Sequence, residues 1–467
     1  MTEELAYAGA ARQAEMLRGG QVTSRELTEL YLGRIERIDP ALNAYRDVWA
    51  ESALAEADDA DARLKAGQQA PLLGVPVAIK DTLDVAGDVT TLGTAGYDQP
   101  ADSDSILVAR IREAGAVILG KTNLPELAIH GFTESKTFGI TRNPWHQGRT
   151  TGGSSGGSGA AVAAGLAAIA HASDGAGSIR YPAAHCGLFG LKPQRNRVPI
   201  DSEHWHGLSV NGCVSHTVAD TALFLDAVTS GGPWAPSAPP APRQPFAEAA
   251  ASDPGRLRVA VALKPPRALA PPLLGDESRR MTEEVAELLG SLGHAVERAD
   301  PDWGSVGNQI SARYMGGIGD DVDAVPHGDR LEGITRGYRR IAKVAAPGWA
   351  VRRAVRLEGR DRDRIGAIFE DHDVVLTPMT AGPAFEHGRF SKRGALRCLL
   401  GESRFYPYAV AWNYTGQPAA SVPAGLSSEG LPLAVQIVGR TNDEATLLSL
   451  AAQLERERPW AQHRPSV

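Results

Sequence analysis

The chain has 467 residues, 43% of them hydrophobic, so it can bury the core of one large α/β domain or of two smaller ones. Its 48 basic and 55 acidic residues leave a net charge of −7, and no basic cluster is dense enough to indicate a nucleic-acid partner. Cys186, Cys213 and Cys398 stand far apart and indicate neither a disulfide framework nor a cysteine-based metal site.

No basic region followed by an apolar core marks a signal peptide, and nowhere do 18 apolar residues follow one another. We therefore expect a cytoplasmic protein without a membrane partner.

The first 66 residues predict helices. Residues 23–38 read as an amphipathic helix because Thr23 and Glu26 match a capping box and Pro40 follows. A second, alanine-rich helix is predicted over residues 48–65.

A short apolar run at residues 73–79 then ends in Lys80. A lysine that closes a buried strand lies at the edge of an open α/β sheet, where such sheets place their ligands. Taken alone, Lys80 fits a surface lysine that closes an edge strand better than it fits a ligand-binding lysine. A helix over residues 105–114 and a strand over 116–119 follow.

Two clusters of glycine and serine, residues 152–157 and 174–178, flank an apolar stretch. The stretch predicts a buried helix over residues 158–166 and a short interior strand over 169–173. The first cluster therefore precedes a helix, and the second follows a strand. Glycine there leaves backbone N–H groups free to turn toward a reacting oxygen, whereas a flexible linker would not continue into an apolar helix and strand.

Helices and strands alternate over the rest of the chain, which favours an α/β layered sheet. Residues 231–255 are rich in proline and alanine and predict a semi-rigid surface connector between the halves of the chain. Strands are predicted at residues 257–263, 295–298, 374–377, 419–422 and 433–438. Helices are predicted at residues 218–228, 277–292, 349–370 and 444–457.

Ser178 is the candidate nucleophile, because the backbone amides of residues 175–178 are placed to stabilise an oxyanion. Its base could be His171 or His185, which would also need a carboxylate, or it could be a lysine. At a pKa of about 10.4, only about one lysine in 2,500 is neutral at pH 7, a cost of roughly 4.6 kcal/mol. A catalytic Lys80 would therefore have to be desolvated by its apolar surroundings.

Three motifs in order resemble the amidase signature family of serine hydrolases: GVPVAIKD around Lys80, GGSSGGS at residues 152–158, and SDGAGSIRYPAAHCGLFGLKP at residues 173–193. The resemblance is close over residues 22–228, weak over 231–408, and returns in the C-terminal SVPAG and LPLAVQIVG segments. It implies the amidase-signature fold, a large mixed β-sheet core covered by helices on both faces.

The resemblance implies one domain over residues 1–467. Its parts are N-terminal helices (1–66), a signature core (about 67–230), the connector (about 231–255), and a variable substrate-side region with the C-terminal sheet (256–467). The reaction implied is hydrolysis of the C–N bond of linear amides through an acyl-enzyme, without a metal or an organic cofactor. The expected binding partner is the substrate, a small-molecule amide. The oligomeric state stays open, and a homodimer is one of the alternatives.

The resemblance also implies a role for each site residue. Ser178 is the nucleophile, Ser154 lies on a cis peptide and relays the proton, and Lys80 is the base. Ser155 is expected to hydrogen-bond near the lysine. We interpret Asp174, Arg180 and Asn123 as structural supports of the site, and contact of any one of them with the substrate is the alternative. The oxyanion hole implied is the turn made by Gly175, Ala176, Gly177 and Ser178.

The chain departs from the family pattern at three positions. Ala176 stands where the oxyanion turn usually has glycine, which puts reaction rate and substrate size in doubt but not the chemistry. Thr151 replaces a proline and Asn196 a glycine, both of which we interpret as structural variation. The walls of the substrate pocket are expected from residues 128–132, from around Trp205, and from the 310–410 region with Tyr314, Phe405 and Tyr406, with Trp412 just beyond it. We assign no substrate specificity from these aromatic residues.

Other functions fit the sequence less well. Gly153 to Gly157 also match G-x-S-x-G with Ser155 as nucleophile, but that motif follows a strand, and residues 143–152 are predicted to be a loop. No nucleotide-binding glycine motif is present, and the His204 and His206 pair lacks the spacing of a metal site. Within the family, a glutaminase subunit of a tRNA-dependent amidotransferase, or an inactive or partner-dependent member, remains an alternative.

Overall fold

The computed structural model describes residues 3–230, 234–235, 237–267 and 270–467. Their strands build one eleven-stranded sheet and two small two-stranded sheets. The bounds are β1 Tyr45–Val48, β2 Pro76–Lys80, β3 Val117–Thr122, β4 Glu134–Ser135, β5 Gly139–Ile140, β6 Arg142–Asn143, β7 His146–Thr150, β8 Ile169–Asp174, β9 Phe189–Lys192, β10 Val210–Ser215, β11 Arg258–Val261, β12 Ala295–Arg298, β13 Val374–Pro378, β14 Ala419–Leu426 and β15 Pro432–Gly439.

The large sheet is mixed, in the order β1-β3-β2-β8-β10-β9-β14-β15-β13-β11-β12. Strand β2 runs parallel to both β3 and β8, so the carboxyl ends of β2 and β8 meet at one edge. Strands β10, β9, β14, β15 and β13 are joined by antiparallel pairings, and β13, β11 and β12 are parallel again. The C-terminal strands β14 and β15 therefore lie in the middle of the sheet.

The strands are connected by α-helices, none of which, among the described residues, has the length and apolar character needed to cross a membrane. The bounds are α1 Glu3–Ala6, α2 Gly9–Arg18, α3 Ser24–Leu42, α4 Ala50–Lys65, α5 Ile106–Glu113, α6 Gly156–Ala163, α7 Arg180–Cys186, α8 Val218–Thr229, α9 Phe246–Ala251, α10 Asp276–Ser291, α11 Val306–Ala324, α12 Gly333–Ala345, α13 Gly348–Gly366, α14 Ile368–Asp371, α15 Ala395–Phe405, α16 Val410–Thr415 and α17 Glu444–Glu457.

The core lies on both faces of the sheet. Successive residues of a strand point to opposite faces, and on β11 Val259 and Val261 belong to one apolar cluster while Ala260 belongs to another. On β13, Val374 and Val375 are divided between the two clusters in the same way. The structure thus confirms the predicted α/β fold, a large mixed sheet covered on both faces.

The predicted end of the helix over residues 23–38 is wrong for a local reason. Helix α3 does not end before Pro40 but continues to Leu42, where Asn43 takes a left-handed φ of 57° and ends it. The Asp39 carboxylate holds this end by accepting from the next amides, those of residues 44 and 45. Proline in a last turn frees only one carbonyl, so the helix tolerates it there.

The predicted connector at residues 231–255 is partly helical. Residues 231–233 and 236 lie outside the described residues, but α9 occupies Phe246–Ala251. The Asp226 carboxylate accepts hydrogen bonds from the first two amides of this helix, at 2.7 and 2.8 Å. A cap supplied from the preceding helix α8 thus starts a helix that composition alone did not indicate.

Candidate active site

Lys80 ends β2, at the edge where the carboxyl ends of β2 and β8 meet. Its side chain is fully buried. Its Nζ lies 2.7 Å from Ser154 Oγ and 2.9 Å from Ser173 Oγ. The apolar residues that make β2 a buried strand thus carry the lysine amine into the interior, where two serine hydroxyls surround it.

The surroundings of Lys80 change its protonation. Burial penalises the ammonium form and lowers the pKa of Lys80 to about 7, although the Asp174 carboxylate acts in the opposite direction. A lysine with this pKa is about half neutral at pH 7, and a neutral amine can accept a proton. The desolvation that a catalytic lysine requires is therefore present.

Ser154 and Ser155 lie where the chain enters α6. The peptide bond between Gly153 and Ser154 is cis. A Cβ atom on Gly153 would lie 2.5 Å from the carbonyl oxygen of His130, so only glycine fits at this close approach. The Ser155 hydroxyl contacts the backbone N–H and C=O of Ser173 at 3.3 and 3.2 Å, and it reaches Lys80 only through that residue.

Ser178 lies in the turn between β8 and α7, and its hydroxyl makes no hydrogen bond within the described ranges. The amide of Gly177 donates to the Asp174 carboxylate at 2.6 Å, so it is already occupied. The amides of Gly175, Ala176 and Ser178 have no acceptor in the part of the chain that the structure describes. Of the four residues predicted for the oxyanion hole, these three have amides left to bind a substrate oxygen.

The conformation of this turn explains its small residues. Gly177 has a φ of 128°, and a Cβ atom there would lie 2.2 Å from the Tyr181 ring. A Cβ atom on Gly175 would meet the Trp205 ring at 2.8 Å. Ala176 does not have a positive φ, so its methyl group causes no backbone strain. The residue lines the cavity beside Ser178.

A fully buried ion pair holds the turn in place. Arg180 donates to both carboxylate oxygens of Asp174 at 2.9 Å. It also donates to Asn413 Oδ1 (2.6 Å), Gln436 Oε1 (2.7 Å) and the carbonyl of Ala409 (3.0 Å). Burial raises the pKa of Asp174, but the charge and hydrogen bonds of Arg180 outweigh burial and lower it to about 2. Asp174 and Arg180 are thus supports of the turn.

Replacing Arg180 with alanine is expected to lower the free energy of unfolding by about 3–5 kcal/mol, because it leaves the buried Asp174 charge without its partner. Urea denaturation followed by circular dichroism measures this loss. Arg12→Ala is the matched control, since Arg12 pairs with Glu15 on the surface and the two side chains are 55% and 59% exposed. Equal, small losses in both variants would contradict the supporting role of Arg180.

Ser178 opens into a cavity of about 120 Å³. Its walls come from the segment before β4, from the turn at Trp205, and from α11, α15 and α16. They are mainly apolar, and four aromatic rings contribute to them: Tyr181, Trp205, Tyr314 and Tyr406. A cavity of this kind suits a compact group with little charge.

The expected pocket walls are found in part. Residues 128–131, Trp205, Tyr314 and Tyr406 line the cavity, whereas Phe405 and Trp412 are buried in the apolar core instead. Trp205 has a φ of 52°, which is uncommon for a bulky side chain, and its indole N–H donates to Asp321 at 2.6 Å. Asn123 binds the backbone of residues 43 and 45 and has a structural role.

The histidines are not placed as bases for Ser178. His171 contacts Asn211 at 3.2 Å and His185 contacts the Tyr406 hydroxyl at 3.0 Å. Burial lowers the pKa of each to about 3, so both rings are neutral. Neither ring touches a serine hydroxyl among the described residues, whereas the Lys80 amine contacts two of them.

The predicted loop before Gly152 contains a strand, β7. It pairs with β6 in a two-stranded sheet apart from the main one, so the strand-to-helix turn of a nucleophile elbow is not formed. Ser155 is fully buried against Ser173 and does not line the cavity. Ser155 is therefore unsuited to attack a substrate.

Sequence reasoning missed three residues of the site. Ser173 contacts Lys80, and Asn413 and Gln436 bind Arg180. The sequence signal that could have identified Ser173 is its position directly before the second cluster of glycine and serine. Asn413 and Gln436 lie more than 220 residues beyond Arg180 in the chain, and no local pattern links them to it.

The whole chain is similar to proteins of one family. A family model described as Amidase matches residues 26–448. "Putative amidase AmiB2" of Mycobacterium tuberculosis is 50% identical over 99% of each chain. The 6-aminohexanoate-cyclic-dimer hydrolase of Paenarthrobacter ureafaciens is 35% identical over 98% of this chain and 96% of that one. A solved 6-aminohexanoate cyclic dimer hydrolase complexed with substrate matches with a TM-score of 0.88 and 32% identity over 99% of each chain. With matches of this extent, the chain belongs to the amidase family, whose amidase signature motifs its sequence contains.

Proposed function

We propose that the protein hydrolyses linear carboxamides to a carboxylic acid and an amine or ammonia, through an acyl-enzyme on Ser178. Ser154 and Lys80 complete the triad. The observation that supports this best is the Lys80 amine, which is buried, has a pKa of about 7 and lies 2.7 Å from the Ser154 hydroxyl. A neutral amine at this distance can take the Ser154 proton.

The first chemical step forms the acyl-enzyme. Ser154 passes its proton to Lys80 and accepts the proton of Ser178, whose Oγ attacks the amide carbon. The oxyanion then accepts hydrogen bonds from free amides of the 175–178 turn. The two serine segments are already joined, because the Ser155 amide donates to the Ser178 carbonyl at 3.3 Å.

The second half of the reaction returns the proton. Lys80, through Ser154, protonates the leaving nitrogen as the C–N bond breaks. Water, deprotonated by the same pair of groups, then attacks the ester on Ser178. As the bond between Ser178 Oγ and the acyl carbon breaks, Lys80 returns that proton through Ser154 to Ser178 Oγ, and the carboxylic acid is released. Every proton transfer in this route uses a side chain of the protein.

The shape and lining of the cavity favour substrates that carry a compact aromatic or aliphatic group. Its four aromatic rings offer apolar contact, and the methyl group of Ala176 occupies space beside the nucleophile. Cyclic amides are a second candidate class, favoured by the similarity to 6-aminohexanoate-cyclic-dimer hydrolases along the whole chain. The glutaminase-subunit alternative is not favoured, since the relatives named above bear the names of a putative amidase and of a cyclic-dimer hydrolase.

A fluorophosphonate probe, which reacts with activated serines, is expected to add once to the wild-type protein, at Ser178. The adduct should be absent from Ser178→Ala and should form slowly in Lys80→Ala, because both the nucleophile and its base are required. Intact-protein mass spectrometry measures the adduct, and peptide mapping locates it.

Other outcomes of this experiment have definite meanings. An adduct on Ser155 would favour the elbow mechanism and contradict the triad. No adduct under any condition would favour the inactive or partner-dependent alternative. If the wild-type protein forms the adduct, a screen of its activity against linear and cyclic amides would then show which of the two classes it hydrolyses.

A further inference from the structure

Three side chains with metal-binding atoms meet at the wall of the substrate cavity. Cys398 and Glu402 are four residues apart on α15, so they share one face of that helix. His130 approaches from the segment before β4. Its Nδ1 lies 3.1 Å from Glu402 Oε2 and 3.8 Å from Cys398 Sγ, and the sulfur is 3.3 Å from the same Oε2. All three residues are buried.

These separations are close to the ligand-to-ligand distances in a tetrahedral zinc site. With Zn–S of about 2.3 Å and Zn–N and Zn–O of about 2.0–2.1 Å, tetrahedral angles give ligand-to-ligand distances of roughly 3.3–3.6 Å. The Cys398–Glu402 distance of 3.3 Å lies at the lower limit of this range, and the other two, 3.1 and 3.8 Å, lie just outside it. Only small side-chain movements would be needed to bind a metal ion.

The surroundings orient the carboxylate for such a role. Glu402 Oε1 accepts a 2.6 Å hydrogen bond from the Gly131 amide, which leaves Oε2 directed at His130 and Cys398. The Tyr338 hydroxyl donates to Oε2 at 3.2 Å. Hydrogen bonds of this kind, behind a ligand, typically fix its orientation in metal sites.

The cavity supplies an open position and an entry path. His130 and Glu402 line the same cavity as Ser178, while Cys398 lies behind them on α15. A metal held by these three side chains would have its fourth position directed into the space that a substrate needs. Three protein ligands with one open position is the arrangement of accessible zinc sites.

We propose that His130 Nδ1, Cys398 Sγ and Glu402 Oε2 bind one zinc-like divalent metal ion, and that its occupancy inhibits amide hydrolysis. The metal replaces the thiol proton of Cys398, which passes to solvent. The His130 proton moves from Nδ1 to Nε2, which has no hydrogen-bond partner among the described residues. Thiolate and carboxylate together balance the two charges of the metal ion, as a buried site requires.

The test uses zinc itself and two matched serine variants. Cys398→Ser keeps a hydroxyl that can donate to Glu402 but removes the soft ligand. Cys213→Ser makes the same change at another buried thiol, which contacts Thr221 Oγ1 at 3.5 Å, outside the cavity. After chelator treatment, equilibrium dialysis should find one more zinc site in wild type and Cys213→Ser than in Cys398→Ser, or an affinity at least ~10-fold higher.

Two further readouts complete the test. Cobalt should give thiolate charge-transfer absorption in wild type and not in Cys398→Ser. Zinc should lower amide turnover in wild type but not in Cys398→Ser, each relative to its own chelator-treated rate. Metal binding is measured without turnover, so failure of the proposed amidase function would not hide the result.

Equal zinc binding by wild type and Cys398→Ser would overturn the proposal, and the three side chains would then form only a hydrogen-bond network. If Cys398→Ser does not fold, as judged by circular dichroism, Glu402→Gln replaces it, because it retains the shape of the side chain and removes the charge. The same loss of zinc affinity is expected there, and unchanged affinity would again overturn the site.

Discussion

Replacing Ser178 with alanine is expected to lower kcat/KM for any amide substrate by at least ~10⁴-fold, the scale seen when a hydrolase loses its nucleophile. Ser178 lines the cavity, and the free amides of the same turn can hold the oxyanion. Without the Ser178 hydroxyl no acyl-enzyme forms, and only binding and oxyanion stabilisation remain. Steady-state release of amine or ammonia measures the loss.

Ser421→Ala provides the control for this experiment. Ser421 is buried on β14, and its hydroxyl has no hydrogen-bond partner among the described residues. Its removal should leave kcat/KM within a few-fold of wild type. Substantial turnover by Ser178→Ala, after mass spectrometry has excluded wild-type contamination, would show that another group attacks the substrate.

Replacing Lys80 with methionine is expected to lower kcat/KM by about 10²–10⁴-fold, the usual contribution of a general base. Methionine fills similar volume without an amine. In wild type, log kcat/KM should rise with pH and level off near pH 7, because burial lowers the pKa of Lys80 to about 7 and only the neutral amine accepts a proton. Initial rates at substrate concentrations below KM, measured from pH 5 to 9, give this profile.

Lys192→Met is the matched control for Lys80. Lys192 is also fully buried, and burial lowers its pKa, but its Nζ donates to the carbonyl of Pro193 at 2.8 Å. This variant should keep the wild-type midpoint near pH 7. If Lys80→Met retained that midpoint, the titrating base would have to be another group.

The sequence alone predicted the parts of the site that are local in the chain. Lys80, Ser154 and Ser178 each lie within a short motif, and the apolar run before Lys80 correctly indicated a buried strand. The pKa of Lys80 follows from that burial. By contrast, the occupied amide of Gly177 depends on which way the Asp174 side chain turns, which sequence does not reveal.

The cavity walls were harder to predict, because they come from helices that sequence did not indicate. Helix α11 contains glycines at 316, 317 and 319, which lower helix propensity. The structure explains them by close packing: a Cβ atom on Gly317 would lie 2.6 Å from the Trp205 ring. Tertiary contact thus outweighs local preference there, and single-sequence patterns cannot detect that contact.

The contacts of Arg180 have a consequence for protein synthesis. The turn that carries Ser178 is complete by residue 180, but Arg180 binds Asn413 on α16 and Gln436 on β15. Strands β14 and β15 are the last strands in the chain, and they lie in the middle of the sheet. While the ribosome is still making the second half of the chain, the turn that carries the proposed nucleophile lacks the contacts that Asn413 and Gln436 make with Arg180. We therefore expect the proposed active site to be complete only when nearly all of the chain has been translated.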